Sequence, residues 1–225
     1  MKCLETKEIV YPGDKIELND LKPRNGLYES NSEYFSEYFG VIQRGDKFVD
    51  IAPFNSPYLP RVNDKIIGKI MDIGPTMWTV DINSPYYSLL HINDTPWHVN
   101  AGDLERYLNV GDFIYAKISQ SNEIRESWVS MKEPGMKKLE TGQIIAVKPP
   151  KVPRVIGKGG NMINLIKNET NTKIIVGQNG FIWIDGDIEN VNMAINAIKI
   201  VEKEAHTIGL TDRMAEYFKK LKGEN

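Results

Sequence analysis

Short apolar runs punctuated by glycine and proline dominate the first three-fifths of this chain, and longer amphipathic stretches dominate the rest. Asp64–Asp72 (DKIIGKIMD), Met77–Ile82 (MWTVDI), Tyr86–Ile92 (YYSLLHI), Asp112–Ser119 (DFIYAKIS) and Trp128–Met131 (WVSM) read as five strands, with a short helix at Asp103–Leu108 before the fourth. Beyond them, Gly142–Val147 is strand-like and Val152–Ile156 is a short helix opened by prolines. Asn161–Thr170 carries Met162, Ile163, Leu165 and Ile166 at helical spacing. Lys173–Val176 and Phe181–Asp185 are strands joined by Gly177-Gln178-Asn179-Gly180, where Asn-Gly signals a tight hairpin. Asp187 is expected to cap a long helix with Val191, Ala194, Ile195, Ile198 and Val201 on one face. Thr211–Lys222 predicts a short amphipathic helix ending in a basic cluster.

The first sixty residues predict a small β unit. Tyr34–Val41, Lys47–Ile51 and Tyr58–Val62 are its candidate strands, set around turns at Tyr11-Pro12-Gly13-Asp14, Arg44-Gly45-Asp46 and Asn55-Ser56-Pro57. So small a unit buries little core of its own and is expected to lean on a neighbour. The expected organisation is therefore a β unit over residues 1–61, a five-stranded barrel over 62–132, a linker at 132–141, a βααββα unit over 136–205, and a helix and tail over 206–225. The fold class is mostly β plus α+β.

Composition adds limits. The chain has 225 residues, 41% hydrophobic and 26% charged, an ordinary globular balance. Its single cysteine, Cys3, cannot close an internal disulfide. No apolar run approaches the roughly 18 residues of a membrane span, so a cytoplasmic location is expected. Net charge is −2, which argues against a globally basic nucleic-acid binder. The distribution says more. Residues 136–170 hold seven Lys/Arg against two Glu, whereas each of the other stretches, 1–61, 62–135 and 171–225, is net acidic.

That basic excess coincides with Val155-Ile156-Gly157-Lys158-Gly159-Gly160-Asn161-Met162-Ile163. Here a helix ends, a Gly-x-x-Gly loop carries a lysine, and a second helix begins. Glycines let the backbone turn sharply and approach a ligand closely. The following helix aims its unpaired N–H groups and positive dipole end at the loop. No Gly-Lys-Ser/Thr closes a P-loop, and Met162 stands where a dinucleotide fingerprint needs its third glycine. The loop and the element order around it are those of a type I KH domain, whose loop clamps about four nucleotides. Lys151, Arg154, Gly157, Lys158, Gly159 and Gly160 are its candidate RNA contacts, with Lys148 and Lys167 nearby. The five strands with a helix before the fourth match an OB barrel. Such barrels stack bases on exposed aromatics in a basic groove. Its candidate contacts are Lys65, Lys69, Trp78, His91 and Arg125, with Tyr86, Tyr87 and Tyr115 as further aromatics, although most barrel aromatics serve the core.

With these units in this order, the chain resembles, over essentially its whole length, the archaeal RNA exosome cap subunit that carries S-one and KH domains. The residues that carry the resemblance are Val10-Tyr11-Pro12-Gly13-Asp14, Tyr107-Leu108-Asn109-Val110-Gly111-Asp112, Lys151 through Gly160, and Gly177-Gln178-Asn179-Gly180. The last, a G-x-N-G element, looks like the mark of this lineage among KH proteins. The resemblance implies a subunit that is not a nuclease. It implies three caps on a hexameric ring of RNase PH-like subunits that degrades RNA from the 3′ end using phosphate. It also implies that the caps gather single-stranded RNA and feed it to the pore, and that the first sixty residues attach to the ring.

Other classes fit less well. Polynucleotide phosphorylase has its KH before the S-one barrel and two catalytic domains besides. A zinc-ribbon cap needs several cysteines, and an elongation factor with two KH units needs a second Gly-x-x-Gly loop. His91, His98 and His206 show no metal spacing, no nucleophile set is recognisable, and no cofactor or metal is expected. The alternative to an RNA binder is a protein-binding adaptor whose KH unit is purely structural.

Overall fold

Alternation along the strand Lys65–Ile73 sets the architecture of the middle of the chain. Ile66 and Ile70 are fully buried on one face. Gly68 lies between them, where any Cβ would collide with the Val80 side chain, so the missing side chain makes room for valine. The computed structural model describes residues 8–24, 26–45, 47–122, 126–205, 207 and 209–221. Cys3, Asp46, Arg125, His206 and Lys222, singled out in the sequence, lie outside the described residues. The chain divides between Ser56 and Pro57 into two units.

In the first unit, Ile9–Val10, Gly40–Arg44, Phe48–Pro53 and Lys22–Pro23 form one sheet in that spatial order, and Lys15–Ile16, Glu33–Ser36 and Leu27–Ser30 form a second. Val10, Ile16, Ile42, Val49 and Ile51 make its core. The expected strand Tyr34–Val41 is two strands in different sheets. Gly40 resumes the chain where a Cβ would collide with the Ala52 carbonyl. The expected strand Tyr58–Val62 does not form. Tyr58 is instead buried in the core of the second unit, and its hydroxyl donates to Asp64 Oδ2 at 2.7 Å.

The second unit contains a closed five-stranded barrel. Lys65–Ile73 pairs with Met77–Asp81, which pairs with Ser88–His91. Ser88–His91 runs parallel to Ser127–Ser130, which pairs with Phe113–Ser121, and that strand returns to Lys65–Ile73. Trp78, Val80, Ile82, Leu90, Ile114, Ala116, Ile118 and Val129 fill the interior without exposure. The short helix expected at Asp103–Leu108 is a single 3₁₀ turn, Leu104–Arg106, which inserts Leu104 into this core. The expected linker also carries structure. Lys137–Leu139 pairs with Phe113–Tyr115, continuing the edge that Ser127–Ser130 leaves.

The βααββα unit follows the predicted order. Gln143–Ala146, Phe181–Asp185 and Lys173–Val176 make an antiparallel sheet with Phe181–Asp185 in the centre. Helices Val152–Ile156, Asn161–Thr170 and Ile188–Lys203 pack on one face of it through Val155, Ile166, Ala194 and Ile198. Asp187 occupies the N-cap position of the long helix, but its side chain accepts no capping bond. Only its carbonyl enters the helix, accepting from the Val191 N–H. The C-terminal helix, Leu210–Leu221, buries Leu210, Met214 and Phe218 in the same core.

The opposite face of this sheet is also apolar, and it meets the barrel. Ile67 has the outward phase of its strand yet has no exposure, because it packs with Leu139 and Trp183 and against Phe113, Tyr115, Ile144, Ile175 and Phe181. Asn179 fastens the junction. Its Nδ2 donates to the carbonyls of Ile67 at 2.7 Å and Ile82 at 2.9 Å, and its Oδ1 accepts from the Ile67 N–H at 3.3 Å. The Gln178 N–H donates to the Lys65 carbonyl at 2.9 Å, and Asn83 Nδ2 donates to the Asn179 carbonyl at 2.8 Å. Both glycines of the turn are dictated by this arrangement. A Cβ on Gly177 would collide with Asn179 Oδ1, and Gly180, at φ +92°, has the Val147 carbonyl against it.

Asn179→Ala therefore strands two carbonyls and an N–H in a buried seam and should cost about 3 kcal/mol or more. Asn179→Asp should be no better, because a carboxylate has no hydrogen to give the two carbonyls. Thermal unfolding followed with hydrogen exchange at Ile67 measures both. If either variant matches the wild type, the side chain is not what holds the seam.

Candidate nucleic-acid interface

Three prolines start the first helix of the KH unit. Pro149 and Pro150 open the 3₁₀ turn Pro149–Lys151, and Pro153 sits in the first turn of Val152–Ile156, where its fixed φ suits the helix and its missing N–H costs nothing. Val152 and Val155 point into the core, which turns Arg154 to solvent and leaves Lys151 half-exposed. The helix stops at Gly157, whose φ of 76° and ψ of 169° suit glycine alone. A Cβ at Gly157 would sit 2.7 Å from Met162 Cβ and 2.8 Å from its nitrogen, so this glycine also lets the two helices close on each other.

The loop then makes one 3₁₀ turn, Lys158–Gly160, with the Gly160 N–H donating to the Gly157 carbonyl at 3.1 Å. Gly159 (φ 62°) and Gly160 (φ 82°) are left-handed. The two glycines flanking Lys158 differ in kind. Gly157 is needed for packing, whereas a Cβ on Gly159 would meet nothing within 4 Å. Lys158 and Gly159 are exposed. The ten-residue helix Asn161–Thr170 starts directly behind, with Gly160 at its N-cap and hence no side chain on its first N–H groups. The Asn161 N–H is donated to the Lys158 carbonyl and the Met162 nitrogen lies against Gly157, so what the helix presents to the loop is chiefly its positive dipole end.

Lys148, Lys151 and Arg154 recur every three residues through the 3₁₀ turn and the helix, so they share one side of it, and Lys158 follows beyond the break at Gly157. Glu202 lies beside the start of this stripe, its carboxylate accepting the Lys148 backbone N–H at 2.8 Å. Lys167 is at the far end of the second helix, about 9 Å along its axis from Asn161, and is outside this stripe.

The barrel candidates do not converge. Trp78 is a correction to the sequence reading. It has no exposure, and its indole N–H donates to the Leu108 carbonyl at 3.2 Å, so no ring face is left for a base. Tyr115 is half-buried in the seam with the KH sheet, and burial raises its hydroxyl pKa. Lys65 is exposed, and its backbone carbonyl accepts from the Gln178 N–H at the seam with the KH unit. Lys69 stands across from Asp81, whereas His91 stands across from Met77, four residues along the same strand and about 13 Å away. His91 Nδ1 accepts from the Asn93 N–H at 3.1 Å, which closes the turn after its strand. Arg125 lies outside the described residues. Among the described residues there is no group of three or more His, Cys, Asp or Glu placed to hold a metal, and no helix long and apolar enough to cross a membrane.

Comparison with known proteins agrees with this geometry. A family model for the KH domain matches residues 142–200. The exosome complex component Rrp4 of Picrophilus torridus is 69% identical over 99% of this chain and 96% of its own length. Its counterpart in Thermoplasma acidophilum is 58% identical over 98% and 93%, and that of Thermococcus kodakarensis 37% identical over 95% and 86%. A crystal structure described as an exosome complex RNA-binding protein superposes with a TM-score of 0.66 at 35% identity, covering 73% of this chain and 97% of that one. Near-complete coverage at such identities, with the Gly-x-x-Gly loop and the barrel in place, means that this chain belongs to the Rrp4 family of exosome complex components.

Proposed function

We propose that this protein is a non-catalytic, RNA-binding cap subunit of the archaeal exosome. It captures single-stranded RNA in the cytoplasm and guides it into a 3′-to-5′ phosphorolytic ring of RNase PH-like subunits, with three caps on each ring. The observation that carries the reading is the exposed Gly157-Lys158-Gly159-Gly160 loop, open on the side where a helix N-terminus and a stripe of cations meet. The names of the relatives support membership in an exosome, and that of the superposed structure supports RNA as the ligand.

The first unit is the proposed attachment to the ring. It exposes a ladder of aromatic rings. Tyr11 stacks on Phe39 with centroids 5.1 Å apart, and Phe39 meets Phe54 at 5.0 Å. All three are more than 40% exposed, with Ile9 exposed in the same unit. Clustered exposed aromatics are the usual anchors of protein interfaces. Tyr38, by contrast, packs on the unit's own core, and Tyr58 belongs to the barrel.

Lys158→Asp with Gly159→Asp places two carboxylates where phosphates would lie. Affinity for single-stranded RNA should fall about tenfold to a hundredfold, while the melting temperature falls only modestly, because the space is open and the one cost is a side chain at the left-handed φ of 62° of Gly159. The wild-type log–log salt slope should correspond to only a few phosphates, at about 0.7 per contact. Equal affinities for variant and wild type would remove the loop from the RNA site.

Phe39→Asp, at the centre of the ladder, should abolish co-migration of the full-length protein with the assembled ring in size-exclusion chromatography and leave RNA binding intact. Assembly at full stoichiometry would place the attachment elsewhere.

A further inference from the structure

The cations of the KH unit lead toward the barrel. From Lys158 the stripe runs back through Arg154 and Lys151 to Lys148, and the Pro149 ring beside Lys148 packs next to Gly180. Gly180 is also next to Asn83, whose side-chain amide is bonded to the Asn179 carbonyl. Asn83 opens the barrel loop that ends in Tyr86 and Tyr87. Tyr87 is 60% exposed and Tyr86 41%.

Both ends of this loop are fixed. Ile82 gives its carbonyl to Asn179, and the Asn83 N–H donates to Asp81 Oδ1 at 2.8 Å. At the other end, Ser88 is buried and its hydroxyl is hydrogen-bonded to that of Ser127. Between these points the loop contains Pro85, whose φ is fixed. An aromatic ring that is largely in water and carried on a short, anchored loop is pre-organised to stack, because little conformational freedom is lost on binding.

We propose that the RNA path continues from the KH loop across the junction to the Ser84–Tyr87 segment, where Tyr87 stacks on a base while Lys148 and Lys151 hold the phosphates between. The RNA site is then a single surface spanning both domains, and the Asn179 seam sets its geometry. This inference rests on the RNA-binding reading above.

The test uses the full-length chain and a single-stranded RNA of about 12 nucleotides. Tyr87→Ala should weaken binding fivefold or more, the lower end of what one base–aromatic stack contributes. The salt slope should not change, since no charge is lost. Tyr87→Phe should bind like the wild type. On a strand of the same length made of abasic ribose phosphates, wild type and Tyr87→Ala should bind equally. A Tyr87→Ala protein that binds the normal RNA as tightly as wild type overturns the inference. So does one that loses the same factor on the abasic strand. If either occurs while Lys158→Asp with Gly159→Asp still weakens binding about tenfold or more, the KH loop remains the RNA site and only its extension falls. If the wild type binds no RNA, both readings fall together.

Discussion

The side chain of Asn179 is the point on which the second unit depends. One amide answers three backbone groups, two in one barrel strand and one just past the end of its neighbour, and it does so where water cannot substitute. A buried polar group of this kind is costly unless every partner is met, and it is selective for the same reason. Only one relative placement of barrel and KH sheet puts the Ile67 and Ile82 carbonyls and the Ile67 N–H in reach of a single residue. Apolar contact among Ile67, Trp183 and Phe113 would hold the two surfaces together in several registers. The amide selects one of them.

This explains the double-sided character of the KH sheet. Its strands read KIIV and FIWID, nearly continuous in apolar residues. Ile174, Ile182 and Ile184 face the helices, and Ile175, Phe181 and Trp183 face the barrel. Strands buried on both faces lose the alternation that marks a half-exposed sheet. The same holds for Ile67 in the barrel strand, which would face solvent if the KH unit were absent. Lys137–Leu139 belongs to this logic too. It carries the chain from barrel to KH as an added strand, so no slack segment separates the two.

Much of this was legible in the sequence, and the misses share a cause. Helices Val152–Ile156 and Asn161–Thr170 and strands Lys173–Val176 and Phe181–Asp185 form where local pattern puts them, because prolines, glycines and apolar spacing agree at each boundary. The Asn-Gly pair also reads correctly as a hairpin, but its larger role depends on a partner more than a hundred residues away in sequence, which turn chemistry cannot reveal. Trp78 shows the same limit of local pattern. An aromatic on a barrel strand has the same sequence signal whether it faces in or out, and the phase is set by Val80 and Ile82 beside it. Tyr58 has the local signal of a strand in the first unit, although its burial and its bond to Asp64 belong to the barrel. The continuous apolar runs in the KH strands were the one available signal of a second buried face.

Charge and glycine placement together show how a chain with a net charge of −2 can present a locally basic, open loop. Screening limits each surface charge to a range of about 8–10 Å at physiological salt, so the far acidic segments weaken the local field little. What matters is that three cations share one side of a short helical segment, that a fourth sits in the loop beyond it, and that this loop is open. The glycines divide that task. Gly157 and Gly180 occupy positions where a side chain would break packing, and they fix where the loop and the junction stand. At Gly159 a side chain would meet no protein atom, and the left-handed φ of 62° is the one local reason for glycine. Substitution at Gly157 thus perturbs packing, whereas substitution at Gly159 leaves packing alone. The distinction is physical: in one case a Cβ would overlap protein atoms, and in the other only the backbone strain of a left-handed φ remains.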